Sequence, residues 1–213
     1  MLRSFEFASD LGFDIYAVDT GFVRPEFDAS YIVANRNQAG TGLEMSLAVI
    51  DVGPNAAVSR ILQTIQELGC QSTQVAYLIL THIHLDHAGG AGLLMQECPN
   101  AQLIVHPRGA RHMIDPSALI ASALAVHGQE HVDQEYGRIL PIPATRVIET
   151  FDGLKIDLDG RVLECFATPG HAKHHICIWD ELSSGMFTGD TFGLSYREFD
   201  TDQGAFIMPT SSP

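Results

Sequence analysis

The residues best suited to chemistry in this chain form one short run, from Thr81 to Gly90. It reads Thr-His-Ile-His-Leu-Asp-His-Ala-Gly-Gly, so three histidines and one aspartate fall between positions 82 and 87. Neutral imidazoles and carboxylates are the ligands that zinc and similar divalent metals prefer in proteins, at roughly 2.0–2.2 Å. Four such residues within six positions indicate a metal site.

The run lies between an expected strand and an expected helix. The apolar stretch 75–80 precedes it and predicts a buried strand, and a second apolar stretch after it predicts a helix start. The ligands therefore occupy a loop held by a rigid scaffold. His82 and His84 are two residues apart and can point the same way from extended backbone, whereas the adjacent Asp86 and His87 must diverge. One loop can thus serve two neighbouring metal positions.

Two later segments extend this pattern. The run resembles the H-x-H-x-D-H signature of the metallo-β-lactamase superfamily. Residues 168–171 read T-P-G-H and resemble a later loop of that family, and residues 187–190 read F-T-G-D and resemble its strand end. The three motifs occur in the family's order and cover most of the chain. The greatest resemblance is to hydrolase-like members of the glyoxalase II-like branch.

The resemblance implies a set of metal ligands. For the first metal they are His82, His84 and His171; for the second they are Asp86, His87 and one further late histidine, with Asp190 bridging both. The implied cofactor is zinc, as one or two ions, and iron or manganese also suit mixed nitrogen and oxygen ligands. A metal lowers the pKa of a bound water toward about 7, so hydroxide is available for hydrolysis. Asp86 is also a candidate catalytic residue for proton transfer.

Hydrophobic periodicity predicts the elements that position these motifs. Strands are expected at 14–21, 30–35, 45–52, 75–80, 102–105, 147–150, 154–158, 162–168 and 175–179, with a turn at 37–42. A helix is expected from an N-cap at Asn55 to Leu68, another at 90–97, and mainly helical structure over 108–140. This order fits two sheets packed face to face with helices outside. The resemblance implies an α/β fold, the four-layer αββα sandwich, with metals at one edge of the sheets.

The end of the chain is one ligand short of the implied set. Only 23 residues follow Asp190, and none of them is histidine. Family members usually continue through another strand and helices, which supply the second-metal histidine. We therefore expect residues 1–213 to be a single, C-terminally truncated domain whose second metal position is weak, empty, or completed by water or another molecule. Apolar surface exposed by such a loss favours a homo-oligomer.

The expected reaction is metal-dependent hydrolysis of a small ester, thioester or lactone by a metal-bound hydroxide. Asp190 stands where antibiotic-degrading members commonly have Cys or His, and the resemblance there is to thioesterase, lactonase or phosphoesterase members. Two alternatives stay open. One is a mononuclear iron dioxygenase of the same fold, similar to persulfide dioxygenases. The other is a non-catalytic binding or regulatory member with an impaired second metal site.

Composition limits the expected partners and location. Twelve Lys and Arg oppose 26 Asp and Glu, for a net charge of −14. That balance disfavours nucleic acid and anionic membranes, because phosphate contacts need clustered cations, and a small-molecule substrate is expected instead. No run of 18 apolar residues predicts a membrane span. The four cysteines form no C-x-x-C pair, so reduced thiols in the cytoplasm are the simplest interpretation.

A few other residues have more than one interpretation. Asp51 can orient a metal-bound histidine, or it can be a turn residue before Gly53. His175 begins an apolar strand and is predicted to pack rather than to bind metal. Six further residues are candidates to line a pocket, although ordinary surface or core placement is expected for each taken singly: His106, His112, His127, His131, Tyr136 and Tyr196.

Overall fold

The larger of two main β-sheets carries most of the predicted strands. The computed structural model describes residues 5–36 and 45–210, so the turn expected at 37–42 lies outside the described residues. Seven strands lie side by side in chain order: β1 Ala8–Asp10, β2 Ile15–Asp19, β3 Ala29–Arg36, β4 Met45–Ile50, β5 Val75–Ile79, β6 Gln102–Val105 and β7 Val147–Glu149. Neighbours from β1 to β4 are antiparallel, and those from β4 to β7 are parallel. The loops after β4, β5 and β6 therefore meet at one edge of the sheet.

The second main sheet is antiparallel and comes from the later part of the chain. Its strands are β8 Leu154–Leu158, β9 Arg161–Ala167, β10 Ile176–Asp180 and β11 Gly185–Phe187, in the spatial order β11-β10-β9-β8. A two-stranded sheet follows, from β12 Leu194–Ser195 and β13 Ile207–Met208. The segment around it exposes large apolar side chains: Phe192, Phe199, Phe206 and Ile207. Pairing with a second copy through such surface stays a prediction.

Six α-helices connect the strands of the first sheet. They are α1 Ala57–Glu67, α2 Leu85–Ala88, α3 Ala91–Glu97, α4 Pro107–Ile114, α5 Ser117–His127 and α6 Gln129–Glu135. The α1 helix forms where Val58, Ile61 and Ile65 repeat at helical spacing, and all three are buried against the sheet. Arg146 holds the end of α3 by donating to the carbonyls of Met95, Cys98 and Ala101. None of these helices is long and apolar enough to cross a membrane, among the residues that the structure describes.

Two apolar layers hold the domain together. One lies between the helices and the first sheet, and the other lies between the two main sheets. The sequence of β5 is apolar without alternation because both faces of this strand are covered. Leu78 packs in the helical layer, whereas its neighbour Ile79 packs in the inter-sheet layer. At the far end of the sandwich, buried Arg161 pairs with Asp180 and donates to Phe13 O and Ala34 O, which ties the second sheet to the first.

The predicted layer order is present in the described part of the chain, and one predicted helix cap is wrong. In the described part of the chain no α-helix follows β7, so the helices cover the first sheet and the layers read αββ. Asn55 is not the N-cap of α1, because the helix begins at Ala57 and the Asn55 amide instead donates to Arg138 O at 2.9 Å. That bond attaches the segment after α6 to the start of α1. The single-domain prediction for residues 1–213 stays a prediction.

Candidate metal centre

Asp51 and Thr81 anchor the histidine-rich loop at the sheet edge. Asp51 directly follows β4, with a positive φ of 54°, and Thr81 follows β5. The Asp51 carboxylate accepts from Thr81 N at 2.8 Å and from the Thr81 hydroxyl at 2.7 Å. Ile176 N, at the start of β10, donates to Thr81 O at 2.8 Å. Both sheets therefore fix the backbone from which His82 projects.

Three imidazoles converge in a first group: His82, His84 and His171. His84 Nδ1 lies 3.1 Å from His82 Nε2 and 2.9 Å from His171 Nε2. Nitrogen atoms bound tetrahedrally to one zinc ion at about 2.0–2.1 Å stand roughly 3.3 Å apart. The observed spacing is close to that value, so the donor set fits a divalent metal. The structure thus brings together residues from the first and second motifs.

A second group of ligand atoms lies beside the first and shares His82. Its other members are His87 and Asp190, and the three ligand atoms lie within 4.8 Å of one another. His87 Nε2 is 3.1 Å from Asp190 Oδ1, and His171 Nε2 is 3.6 Å from Asp190 Oδ2. The Asp190 carboxylate therefore reaches toward both groups. His82 belongs to both groups. The described residues therefore offer one complete set of three ligands, and a second set only if the two groups share the His82 ring.

Asp86 lies beside these groups rather than within them. Its Oδ2 is 3.8 Å from His87 Nε2, and its side chain is 35% exposed. It belongs to neither group of three ligand atoms found among the described residues. The assignment of Asp86 and His87 to a second metal with a late histidine stays a prediction. Asp86 and His87 both lie on the short helix α2.

Burial favours the uncharged form of two rings of the first group, His82 and His84. The pKa of His82 lies far below its ordinary value because the ring is buried and because His87 and His84 surround it. Burial and the neighbouring His171 also lower the pKa of His84. Metal ligation needs the neutral imidazole. These two rings are therefore in the ligating form at neutral pH.

His87 has the opposite electrostatics. Burial acts to lower its pKa, but the carboxylates of Asp51 and Asp190 outweigh burial and raise it well above the ordinary value. Burial acts to raise the pKa of Asp190, but the hydrogen bond with His87 and the neighbouring histidines together outweigh burial and lower it. His87 Nδ1 is 3.0 Å from Asp51 Oδ2, so Nε2 is left to face Asp190. Of the two interpretations of Asp51, the geometry supports the orienting carboxylate.

The sequence predicts that His175 packs in the core, and the structure shows that it also contacts two segments of the site. Its ring is fully buried, and Nδ1 lies 2.8 Å from the Thr168 hydroxyl and 3.0 Å from the Thr191 hydroxyl. Thr168 opens the T-P-G-H motif, and Thr191 directly follows Asp190. His175 therefore joins the segments that carry two of the ligands. The adjacent histidines at 174 and 175 were the only sequence signal for it.

A cavity of about 1010 Å³ opens from His87 and Asp190 along the end of the sandwich. Apolar side chains such as Phe27, Tyr31 and Met186 line part of it, and acidic side chains line another part. Asp28 also lines it, and burial raises the pKa of this carboxyl to about 6. No motif pointed to Asp28, whose position comes from the fold of the β2–β3 loop.

None of the six pocket candidates from the sequence lines this cavity. His106 instead caps α4 by accepting from Arg108 N at 3.0 Å. The rings of His127 and His131 stack at 5.2 Å, close to Tyr136. Tyr196 packs against Phe27 and Phe199. His112 lies on α4, where Nε2 is 3.1 Å from Arg111 Nε.

Comparison with known proteins places these features in a family. Residues 42–211 match the model of the Metallo-beta-lactamase superfamily. A metallo-beta-lactamase fold-containing protein of Sulfurisphaera tokodaii is 28% identical over 141 residues, which are 64% of this chain and 49% of that protein. An atrochrysone carboxyl ACP thioesterase of Aspergillus fumigatus is 29% identical over 153 residues, which are 71% of this chain and 38% of that protein.

A solved structure agrees with the fold. A subclass B3 metallo-beta-lactamase isolated from a soil metagenome library superposes with a TM-score of 0.60 at 19% identity, covering 84% of this chain and 58% of that one. The predicted metallo-β-lactamase fold is confirmed. The chain spans half or less of the length of the two curated relatives.

Proposed function

This chain belongs to the metallo-β-lactamase superfamily, and we propose that it is a metal-dependent hydrolase of a small ester, thioester or lactone. The observation that carries the proposal is the convergence of His82, His84 and His171, with Asp190 reaching both ligand groups. Zinc suits this nitrogen-rich set best, and iron or manganese also suit it. Thioesters are favoured within that class because curated relatives include proteins named as thioesterases.

The chain's own residues supply orientation and proton transfer. A divalent metal held here would lower the pKa of a bound water toward about 7 and polarise the scissile carbonyl. Asp51 holds His87 Nδ1, so that Nε2 stays directed at the centre. Asp86 Oδ2, beside His87 and partly exposed, is placed to accept the proton of the attacking water. Phe27, Tyr31 and Met186 line a cavity suited to an apolar acyl group.

The test combines metal analysis with a substrate panel. The protein is purified without added metal, analysed for zinc, iron and manganese, and assayed on matched thioesters, lactones and β-lactams. We expect thioester or lactone cleavage without efficient β-lactam turnover, and we expect His82→Ala to lower the activity at least about a thousandfold because a methyl group cannot bind metal. His131→Ala is the matched control, since that histidine is exposed and belongs to neither ligand group. Efficient β-lactam turnover without thioester or lactone cleavage would contradict the proposal. So would a His82→Ala variant whose activity stays within about tenfold of the wild type.

A further inference from the structure

Helix α4 presents two arginines and one histidine beside the metal centre. Arg108, Arg111 and His112 are spaced at i, i+3 and i+4, so they share one face of this helix. Both arginines are exposed, whereas Ala110 and Met113 on the other side are buried in the core. The helix is therefore fixed by its apolar side and directs its basic side to solvent.

Contacts place this helix against the metal loop. The β5 and β6 strands are adjacent and parallel, so the loop after β5 and the start of α4 are neighbours at one sheet edge. A Cβ atom added to Gly109 would lie 2.9 Å from Ile83 Cγ2. Ile83 stands between His82 and His84 in the chain. The first turn of α4 thus packs on the residue that separates two of the candidate ligands.

The segment after the T-P-G-H motif adds a further cation on the same side. Lys173 is exposed, and the ring of the next residue, His174, lies 5.8 Å from that of His84. The pKa of His174 is lowered to about 4 by burial and by the nearby His84, His106 and His112. That proximity connects α4 to the Lys173 segment. The fixed charges of the arginines and of Lys173 therefore belong to two segments that pack beside Ile83 and His84, and none of the three lines the cavity at His87 and Asp190. We call these three residues the rim.

These charges are not neutralised by neighbouring acids. Among the described residues, no carboxylate oxygen lies within 4.0 Å of a charged nitrogen of Arg108, Arg111 or Lys173, although other arginines of the chain do form such pairs. In a chain of net charge −14, three unpaired cations around one site are suited to bind an anion.

We propose that this rim binds an oxyanion, phosphate or carboxylate, on the leaving group of the substrate. The assignment to the leaving group follows from the layout, because the cavity on the side of His87 and Asp190 carries acidic and apolar side chains, which suit an uncharged acyl part better than an anion. The inference rests on the proposed function in treating the anion as part of a hydrolysed molecule.

The test uses one acyl group on three thiols: coenzyme A, which carries phosphates; glutathione, which carries carboxylates; and neutral N-acetylcysteamine. The wild type is compared with the double variant Arg108→Gln, Arg111→Gln, and with Arg138→Gln as the matched exposed-arginine control. We expect the double variant to raise KM about tenfold or more for an anionic thioester. KM for the neutral thioester and the kcat values should stay the same, as should all values of the control. The anionic thiol that responds identifies phosphate or carboxylate.

Binding without turnover separates this inference from the proposed function. Desulfo-coenzyme A and S-methylglutathione are titrated by calorimetry at low and high salt, after melting curves show that the variants are folded. Binding that weakens with salt and is lost in the double variant supports the rim even if no thioester is cleaved. If the wild type cleaves all three thioesters with equal KM, or the double variant weakens all three alike, the rim proposal is wrong although the hydrolase proposal stands. The rim proposal is also wrong if neither anion binds to the wild type.

Discussion

The carboxylate of Asp51 lies 3.0 Å from Nδ1 of His87, and the same oxygen accepts from the Thr81 hydroxyl at 2.7 Å. Asp51 ends one strand of the parallel part of the sheet, and His87 belongs to the loop and helix that follow the next strand. The contact therefore connects two neighbouring strand ends and determines which ring nitrogen of His87 faces Asp190. It provides the first test of the site.

Replacing Asp51 by Asn should weaken metal binding without unfolding the protein. The amide presents one acceptor where the carboxylate serves Thr81 and His87 with two, so the orientation of His87 becomes less defined. We expect the affinity for zinc to fall about 10–100-fold, measured by competition with a chromophoric chelator. Asp202→Asn, at an exposed position, should bind zinc like the wild type. Equal affinities of the Asp51→Asn variant and the wild type would show that Asp51 is only a turn residue.

His175 should affect the metal centre through the segment that carries Asp190. His175→Leu fills a similar volume but removes the hydrogen-bond partner of the Thr168 and Thr191 hydroxyls. We expect faster amide exchange over residues 188–191 and roughly tenfold weaker zinc binding. His175→Asn, which can place an acceptor near the position of Nδ1, should restore both. A Leu variant that melts earlier but binds zinc normally would leave His175 with a packing role only.

Acid should destabilise the metal-free protein, in part through His175. Burial lowers the pKa of this histidine from 6.5 to about 4. Between those values the unfolded chain binds more protons than the folded chain, so the free energy of unfolding falls as the pH falls. We expect His175→Asn to lose about 1–2 kcal/mol less than the wild type between pH 7 and pH 4.5, as measured by urea unfolding. A larger loss in the variant would contradict this sign.

Gly189, directly before Asp190, should tolerate no side chain. Its φ is +46°, and an added Cβ would lie 2.7 Å from both His175 Nε2 and Thr81 Oγ1. We expect Gly189→Ala to destabilise the protein by about 1–3 kcal/mol and to weaken zinc binding, because the Asp190 backbone must move. Gly170→Ala is the control, since a Cβ there meets no atom within 4 Å and its φ is not positive. Thermal melting and zinc titration of the two variants give the comparison.

The sequence predicts the local part of this site better than the long-range part. His82, His84, His171 and Asp190 belong to motifs whose residue types and order reveal them, and most strands follow from apolar patterns. Three other features depend on contacts between distant segments. They are the position of Asp28 beside the cavity, the two hydroxyls around His175, and the hydrogen bond from the Asn55 amide to Arg138 O. No local pattern encodes such contacts.

The central claim is that three imidazole nitrogens of this chain bind one metal ion. Anomalous diffraction at the zinc absorption edge, from crystals of the zinc-loaded protein, tests it most directly. We predict an anomalous zinc peak at roughly 2.0–2.1 Å from each of three atoms: His82 Nε2, His84 Nδ1 and His171 Nε2. A zinc peak elsewhere, or one that His171 does not contact, would contradict it.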